Sequence, residues 1–207
     1  MTTGSRGLAG LDVSRETLAR LEAYESLLGK WNPAINLVAR GTIGGAWSRH
    51  FIDSAQILAL APSEVRAWLD VGSGGGFPGM VIAIIAAELR PGLSVTLVDS
   101  DLRKAAFLGE VARQTGVEVT ISAGRAEEIP PANADVMSAR AFAPLTTLLT
   151  LAGRHLSPGG RGLFLKGARH EAEISDALES FRFDLQKVPS QTDPQAVILS
   201  VGGITRV

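Results

Sequence analysis

The stretch Trp68-Leu-Asp-Val-Gly-Ser-Gly-Gly-Gly-Phe-Pro-Gly79 constrains the chain more than any other. An apolar run ends in Asp70, a glycine-dense segment follows, and the apolar Met80–Leu89 comes next. That order predicts strand, tight loop and helix, which is where an α/β protein holds a nucleotide-like ligand. Glycine admits positive φ there, and it lets backbone approach a ligand that a Cβ would strike. Pro78 suits the first helical position, where its missing N–H would have had no intrahelical partner.

The remaining pattern alternates strands with helices. Ser14 is predicted to cap a helix whose stripe is Leu18, Leu21, Tyr24 and Leu28, with Gly29 and Pro33 stopping it. Residues 1–12 read as a loosely tied tail, and Lys30–Leu37 as a loop. A second helix is expected over Ala46–Leu60. Trp47, Phe51, Ala55 and Leu58 would share one face of it, and Arg49, His50 and Asp53 another, with His50 and Asp53 spaced to pair.

After the glycine loop come a strand at Val95–Val98, a helix at Asp101–Gln114 closed by Gly116, and a strand at Val117–Ile121. Gly124–Glu128 reads as a turn, Ala134–Ser138 as a strand, and the residues to His155 as a helix. Ser157–Gly160 reads as a turn before a strand at Arg161–Lys166 and a helix at His170–Ser180. Phe181–Pro189 and Ala196–Val201 close the chain as an antiparallel pair. The expected fold is a doubly wound, mostly parallel, seven-stranded Rossmann-like sheet of class I methyltransferase type, with an antiparallel C-terminal edge. Residues 1–64 would form a tail and helical extension, and 65–207 the ligand-binding domain, in one compact unit.

Composition narrows the chemistry. With 45% hydrophobic residues the chain can bury a core, so general disorder is excluded. The absence of cysteine removes disulfides and thiolate metal sites, and three scattered histidines argue against zinc, so no metal is expected. Met1–Gly10 lacks a signal-peptide core, and the longest apolar run, Met80–Ala87, is too short to span a bilayer. A cytoplasmic, soluble monomer without membrane contact is the expectation. The net charge of −1 means that any polyanion must be met by a local basic face.

Gly72, Gly74 and Gly76 give Gly-x-Gly-x-Gly, and Phe77 occupies the position of the third dinucleotide glycine. That argues against a nicotinamide oxidoreductase, and no Lys-Ser/Thr pair follows to make a phosphate loop. The spacing suits S-adenosylmethionine, whose methionine tail would lie across the glycines. Asp70 would orient the loop or meet the tail's ammonium. Asp99 would accept the ribose hydroxyls, with a helix cap as the alternative. Ala126 and Glu127 are placed for an adenine ring. Arg140 suits the methionine carboxylate, or an ion pair with Asp135 or Asp70.

Several ordered segments resemble one family. They are Trp31-Asn-Pro-Ala-Ile-Asn-Leu37, His50-Phe-Ile-Asp-Ser54, the Asp70–Gly79 loop, Leu97-Val-Asp-Ser100, Arg103-Lys104 with Phe107-Leu108, Gly124-Arg-Ala-Glu-Glu128, Ser138-Ala-Arg-Ala-Phe-Ala-Pro144 and Leu165-Lys-Gly167. Together the chain resembles the RsmG, or glucose-inhibited division protein B, family. That resemblance implies methyl transfer from S-adenosylmethionine to N7 of one guanine in small-subunit (16S) ribosomal RNA. It implies cofactor contacts at Gly72, Phe77, Ala126, Glu127 and Arg140, and a partner that is the ribosomal RNA or ribosomal subunit.

N7 carries a lone pair and no proton, so no catalytic base is required; Arg140 would at most reach guanine O6. Candidate RNA contacts are Lys30, Asn36, Arg49, His50, Arg103, Lys104, Lys166 and Arg169, each of which also reads as an ordinary surface residue. Trp31 and Trp47 read as packing residues. The alternatives are a methyltransferase for a small molecule or protein, and a non-catalytic S-adenosylmethionine-binding module.

Overall fold

The computed structural model describes residues 8–207. Its strands are β1 (Ala67–Val71), β2 (Ser94–Asp99), β3 (Thr120–Ala123), β4 (Ala134–Arg140), β5 (Leu156–Lys166), β6 (Phe181–Pro189) and β7 (Val197–Arg206). They form one sheet in the order β3-β2-β1-β4-β5-β7-β6. The first five pair in parallel, and β7 runs antiparallel to both β5 and β6. The reversed strand is therefore wedged just inside the sheet's edge. Order changes direction between β1 and β4, and a crevice opens there beyond the carboxyl ends of the strands.

Alternation along the strands feeds two cores. Trp68, Leu97 and Val136 face one side, and Leu69, Val98 and Met137 face the other. Helices α1 (Arg15–Ile35), α3 (Gly79–Leu89) and α4 (Leu102–Thr115) cover the first side. Helices α5 (Leu145–His155) and α6 (His170–Leu178) cover the second. α3 is apolar on every side because it is enclosed by sheet, α1 and α4. The turn at Arg125, whose carbonyl accepts from Glu128 and Ile129, replaces a crossover helix between β3 and β4.

The N-terminal segment differs most from expectation. Ser14 does cap α1, its hydroxyl oxygen accepting from the Thr17 amide at 3.2 Å. The helix nevertheless continues through Gly29 and Pro33 to Ile35, so Trp31 to Ile35 lie on a helix and not in a loop. Proline inside a helix costs about 3 kcal/mol. Burial of Asn32 and packing of Trp31 and Ile35 against the core offset it. Asn36, at φ 50°, ends the helix, and the Asn32 side chain accepts from Val38 N–H at 2.8 Å. Leu8 is 2% exposed within the first core and Ala9 and Leu11 pack against it, so this part of the expected tail is tied down, with Gly10 and Asp12 exposed; residues 1–7 of the expected tail lie outside the described residues.

The expected second helix is a run of changing pitch. It comprises a 3-10 turn at Arg40–Gly45, a π-helix at Trp47–Ile52, the short α2 (Asp53–Ala55) and a 3-10 stretch at Gln56–Leu60. The wide π turn brings His50 inward together with Phe51, at 8% and 0% exposure, so His50 leaves the polar face predicted for it. His50 does not pair with Asp53: its Nε2 meets Thr42 Oγ1 at 2.9 Å.

Two smaller differences follow from pairing. Ser157–Gly160 lies within β5, as an irregularity in register opposite Asp135, and not before the strand. Pro78 is the cap residue of α3 and not its first helical residue.

Candidate functional site

The glycine loop hangs over the crevice with Gly72, Gly74 and Gly76 at φ 65°, 56° and 92°. These left-handed values are what the glycines permit. At Gly72 the closeness of a neighbour matters as well, because a Cβ would stand 2.1 Å from Cδ2 of Phe142. Tyr24 of α1 reaches up from below and donates its hydroxyl to the Gly75 carbonyl. The Tyr24 ring stacks on Phe77 at 5.4 Å and meets Phe51 edge-on at 4.9 Å. The loop is thus held from beneath by aromatic rings that come from the N-terminal segment.

The two options for Asp99, ribose contact and helix cap, separate at the atomic level. Asp101 caps α4, its Oδ1 accepting from Arg103 N–H at 2.9 Å. Asp99 accepts from Gly74 N–H through Oδ2 and from Asp101 N–H through Oδ1, at 2.8 and 2.9 Å. Each carboxylate oxygen retains a further lone pair. Asp99 lines a cavity of about 330 Å³ with Gly72, Ser100, Lys104, Ala126, Glu127 and Phe142. His155, fully buried, meets the Ala126 carbonyl at 2.8 Å and fixes that turn.

Asp70 is fully buried under the loop. It accepts from Ser138 Oγ at 2.6 Å, and the Ser73 hydroxyl donates to its backbone carbonyl at 3.1 Å. A Cβ on Gly79 would stand 2.5 Å from its own Cβ. Burial pushes the Asp70 carboxyl up to about 6, against hydrogen bonds from Ser138, Ser73 and Gly79 and the charge of Arg140. Of its two expected roles, holding the loop is the one its burial favours: Asp70 lines neither cavity around the loop, and its Oδ2 has no hydrogen-bond partner among the described residues.

A second cavity, of about 770 Å³, lies across Gly72–Gly75 and adjoins the first at Gly72, Lys104 and Ala141. Arg140 stands in its wall at the end of β4. Its guanidinium lies 4.9 Å above the Phe77 ring, and Nη1 donates to the Arg49 carbonyl at 3.0 Å and reaches Asp53 Oδ2 at 3.4 Å. The ion-pair partner is thus Asp53, not Asp135 or Asp70. Asp135 instead accepts from the amides of Arg66 and Ala67. A third cavity, of about 590 Å³, opens on the other side of Arg140 and includes Phe142, Lys166 and Arg169.

The residues named for RNA contact are not gathered together. Arg49, His50 and Lys104 line the second cavity, and Lys166 and Arg169 the third. Lys166 is 9% exposed and tied to Glu173 and the Ala143 carbonyl, both at 2.7 Å, which corrects its reading as a surface contact. Arg103 grips Asp101 at 2.7 Å. Lys30 and Asn36 are exposed and line none of these cavities. Burial, with Arg140 and Arg49 nearby, lowers His50 to about 4 and keeps it neutral. Trp31 and Trp47 pack against the core. Tyr24, Asp53 and Phe142 were not foreseen as candidate site residues; Tyr24 reads in the sequence as part of an apolar helix stripe, and Asp53 and Phe142 lie within segments of the family resemblance.

Strand order, the reversed β7 and a glycine loop facing a carboxylate on β2 define a class I methyltransferase fold. Two solved structures share it. A ribosomal protein L11 methylase from Lactobacillus delbrueckii subsp. bulgaricus matches at TM-score 0.58 and 21% identity, over 73% of this chain and 76% of that one. An S-adenosylmethionine-dependent methyltransferase from Aquifex aeolicus matches at TM-score 0.59 and 15% identity, over 86% of this chain and 96% of that one.

The chain belongs to the rRNA small subunit methyltransferase G (GidB) family, whose model matches residues 17–197. It is 50% identical over 202 residues to the ribosomal RNA small subunit methyltransferase G of Ruegeria sp. (strain TM1040), covering 98% of each chain. It is 52% identical to the protein of that name from Rhodospirillum centenum, over 95% of this chain and 88% of the relative. As a member of this family it is an S-adenosylmethionine-dependent methyltransferase. The residues present fit that donor: a left-handed glycine cradle, a carboxylate with spare lone pairs, and an arginine beyond the glycines.

Proposed function

We propose that this chain methylates N7 of a guanine in small-subunit ribosomal RNA, acting as a cytoplasmic monomer on the RNA or the subunit. The observation that carries the reading is half-identity, over almost the whole length, to proteins named for that RNA. Among the described residues no helix is long and apolar enough to cross a membrane.

S-adenosylmethionine supplies an electrophilic methyl group on a sulfonium. The chain's own work is alignment and field. Asp99 is assigned to the ribose hydroxyls, Ala126 and Glu127 to the adenine edge, and the open backbone at Gly72 and Gly74 to the bed of the tail. Gly76 and Phe77 shape the floor, and Arg140 takes the methionine carboxylate. Guanine N7 offers a lone pair without a proton to remove, so His50 is free to remain buried and neutral. In A-form RNA the N7 edge lies in a groove too deep and narrow for side chains. The target base is therefore presented unpaired, to a cavity already open beside Arg140. Arg49, Lys104 and Arg169, at the cavity walls, are assigned to the flanking phosphates.

The test offers methyl-labelled donor to small subunits from cells lacking this gene. Label in one guanine of the small-subunit RNA, chemically cleavable as an N7-methyl base, is the expected result. Label in protein, or none in RNA, would sink the reading.

A further inference from the structure

Asp53 is the carboxylate that the methyl-transfer reading leaves unused, although it shares a cavity wall with the glycine loop, Phe77 and Arg140. Its two oxygens are treated differently. Oδ1 accepts from Gln56 Nε2 at 2.8 Å, Thr192 Oγ1 at 3.0 Å and Ser190 Oγ at 3.1 Å, which saturates it and fixes the carboxylate's orientation. Oδ2 has a single long contact, 3.4 Å, to Arg140 Nη1. That guanidinium is held by the Arg49 carbonyl and the Phe77 face, both engaging it without using Nη2 or Nε.

A rigid anion beside a rigid cation, with room in front of both, is complementary to an amino-acid zwitterion. The tail of S-adenosylmethionine carries one, with its ammonium and carboxylate on the same carbon. Asp70 is sealed beneath the loop and does not line this cavity. Asp193, the other carboxylate on this cavity, is exposed and accepts from the Gln195 amide of its own turn. Building on the cofactor reading above, we infer that Asp53 receives the cofactor's α-ammonium while Arg140 receives its α-carboxylate. Their mutual contact is long because each is placed for a third partner.

Asp53→Asn is the discriminating variant, because its side-chain oxygen can still accept from Gln56, Ser190 and Thr192. The second atom becomes an uncharged amide nitrogen, which donates where the carboxylate oxygen accepted, so the anionic receptor is lost. Titration calorimetry measures S-adenosylhomocysteine and its desamino analogue, in which hydrogen replaces the α-ammonium. The wild-type protein binds the analogue about tenfold or more weaker, the scale of one charge-assisted hydrogen bond. In Asp53→Asn the two ligands bind within about threefold of each other. Thr192→Ala, which loosens the clasp and leaves the charge, keeps the wild-type ratio. Undiminished discrimination by Asp53→Asn, or none by the wild type, overturns the assignment. No binding of S-adenosylhomocysteine by the wild type would overturn the cofactor reading along with it.

Discussion

Asp70 and His50 are both buried beside the charge of Arg140, and burial moves their pKa values in opposite directions. Burial holds the Asp70 carboxyl at about 6 and the His50 imidazole at about 4. For Asp70, the folded chain keeps a proton that the unfolded chain has released between its ordinary value of 3.8 and about 6. Stability therefore falls as pH rises through that window. For His50, the unfolded chain binds a proton that the folded chain refuses between about 4 and 6.5. Stability therefore falls as pH drops through that window. Each effect is worth roughly 3 kcal/mol at full extent, so between pH 4 and 6 they largely cancel. Asp70→Asn should unmask the histidine, and its Tm should drop further than the wild type's between about pH 6.5 and 4.5. His50→Gln should gain on the wild type over the same interval. Thermal melts of the three proteins decide the matter, and parallel pH responses would show that the two groups are not opposed.

Among the elements, α1 has the least obvious task and the largest effect on the loop. Its Tyr24 hydroxyl is the only side-chain donor on the Gly75 carbonyl among the described residues, while the ring supports Phe77. Tyr24→Phe keeps the stacking and removes one buried hydrogen bond, and leaves that carbonyl unpaired. A loss of about 1–3 kcal/mol in urea-induced unfolding is expected, with weaker S-adenosylhomocysteine binding. Full affinity in a destabilised protein would show that the brace serves folding alone.

The same elements show what could be read in advance. Period-two strands and helix-period stretches were legible because each has one environment: Val95 to Val98 between two layers, Leu108 and Val111 against the sheet. Pro33 misled because local propensity lost to the burial of Asn32 and its neighbours. The π turn at Trp47–Ile52 was invisible because no residue type signals that pitch, and it reassigned His50 from surface to interior. Of the candidate site, the left-handed glycine loop and the place of Asp99 at a neighbouring strand end were legible by spacing. Tyr24 and Asp53 were not, because their roles depend on contacts 51 and 87 residues away.

For the molecule as a whole, a net charge of −1 leaves affinity for a polyanion to local geometry. Arg49 lies on the wall of one cavity and Arg169 on the wall of the other, with Arg140 shared between them. Arg49→Glu and Arg169→Glu should therefore weaken binding of the ribosomal substrate and flatten its salt dependence. S-adenosylhomocysteine affinity should change little, since neither side chain is assigned to the tail. Filter binding at several salt concentrations beside calorimetry separates the two. Unchanged salt dependence in both variants would move the RNA face elsewhere.

The clasp on Asp53 has one more consequence, in time and not in space. Ser190 and Thr192, which hold its Oδ1, follow it by 137 and 139 residues. Gln56, in the same clasp, accepts from the Gln191 amide. A ribosome making this chain releases the glycine loop long before these residues. The strands from β1 to β5 all emerge before Ser190 and Thr192 do, so the glycine loop can be framed by its sheet before the Asp53 carboxylate has the partners that orient it.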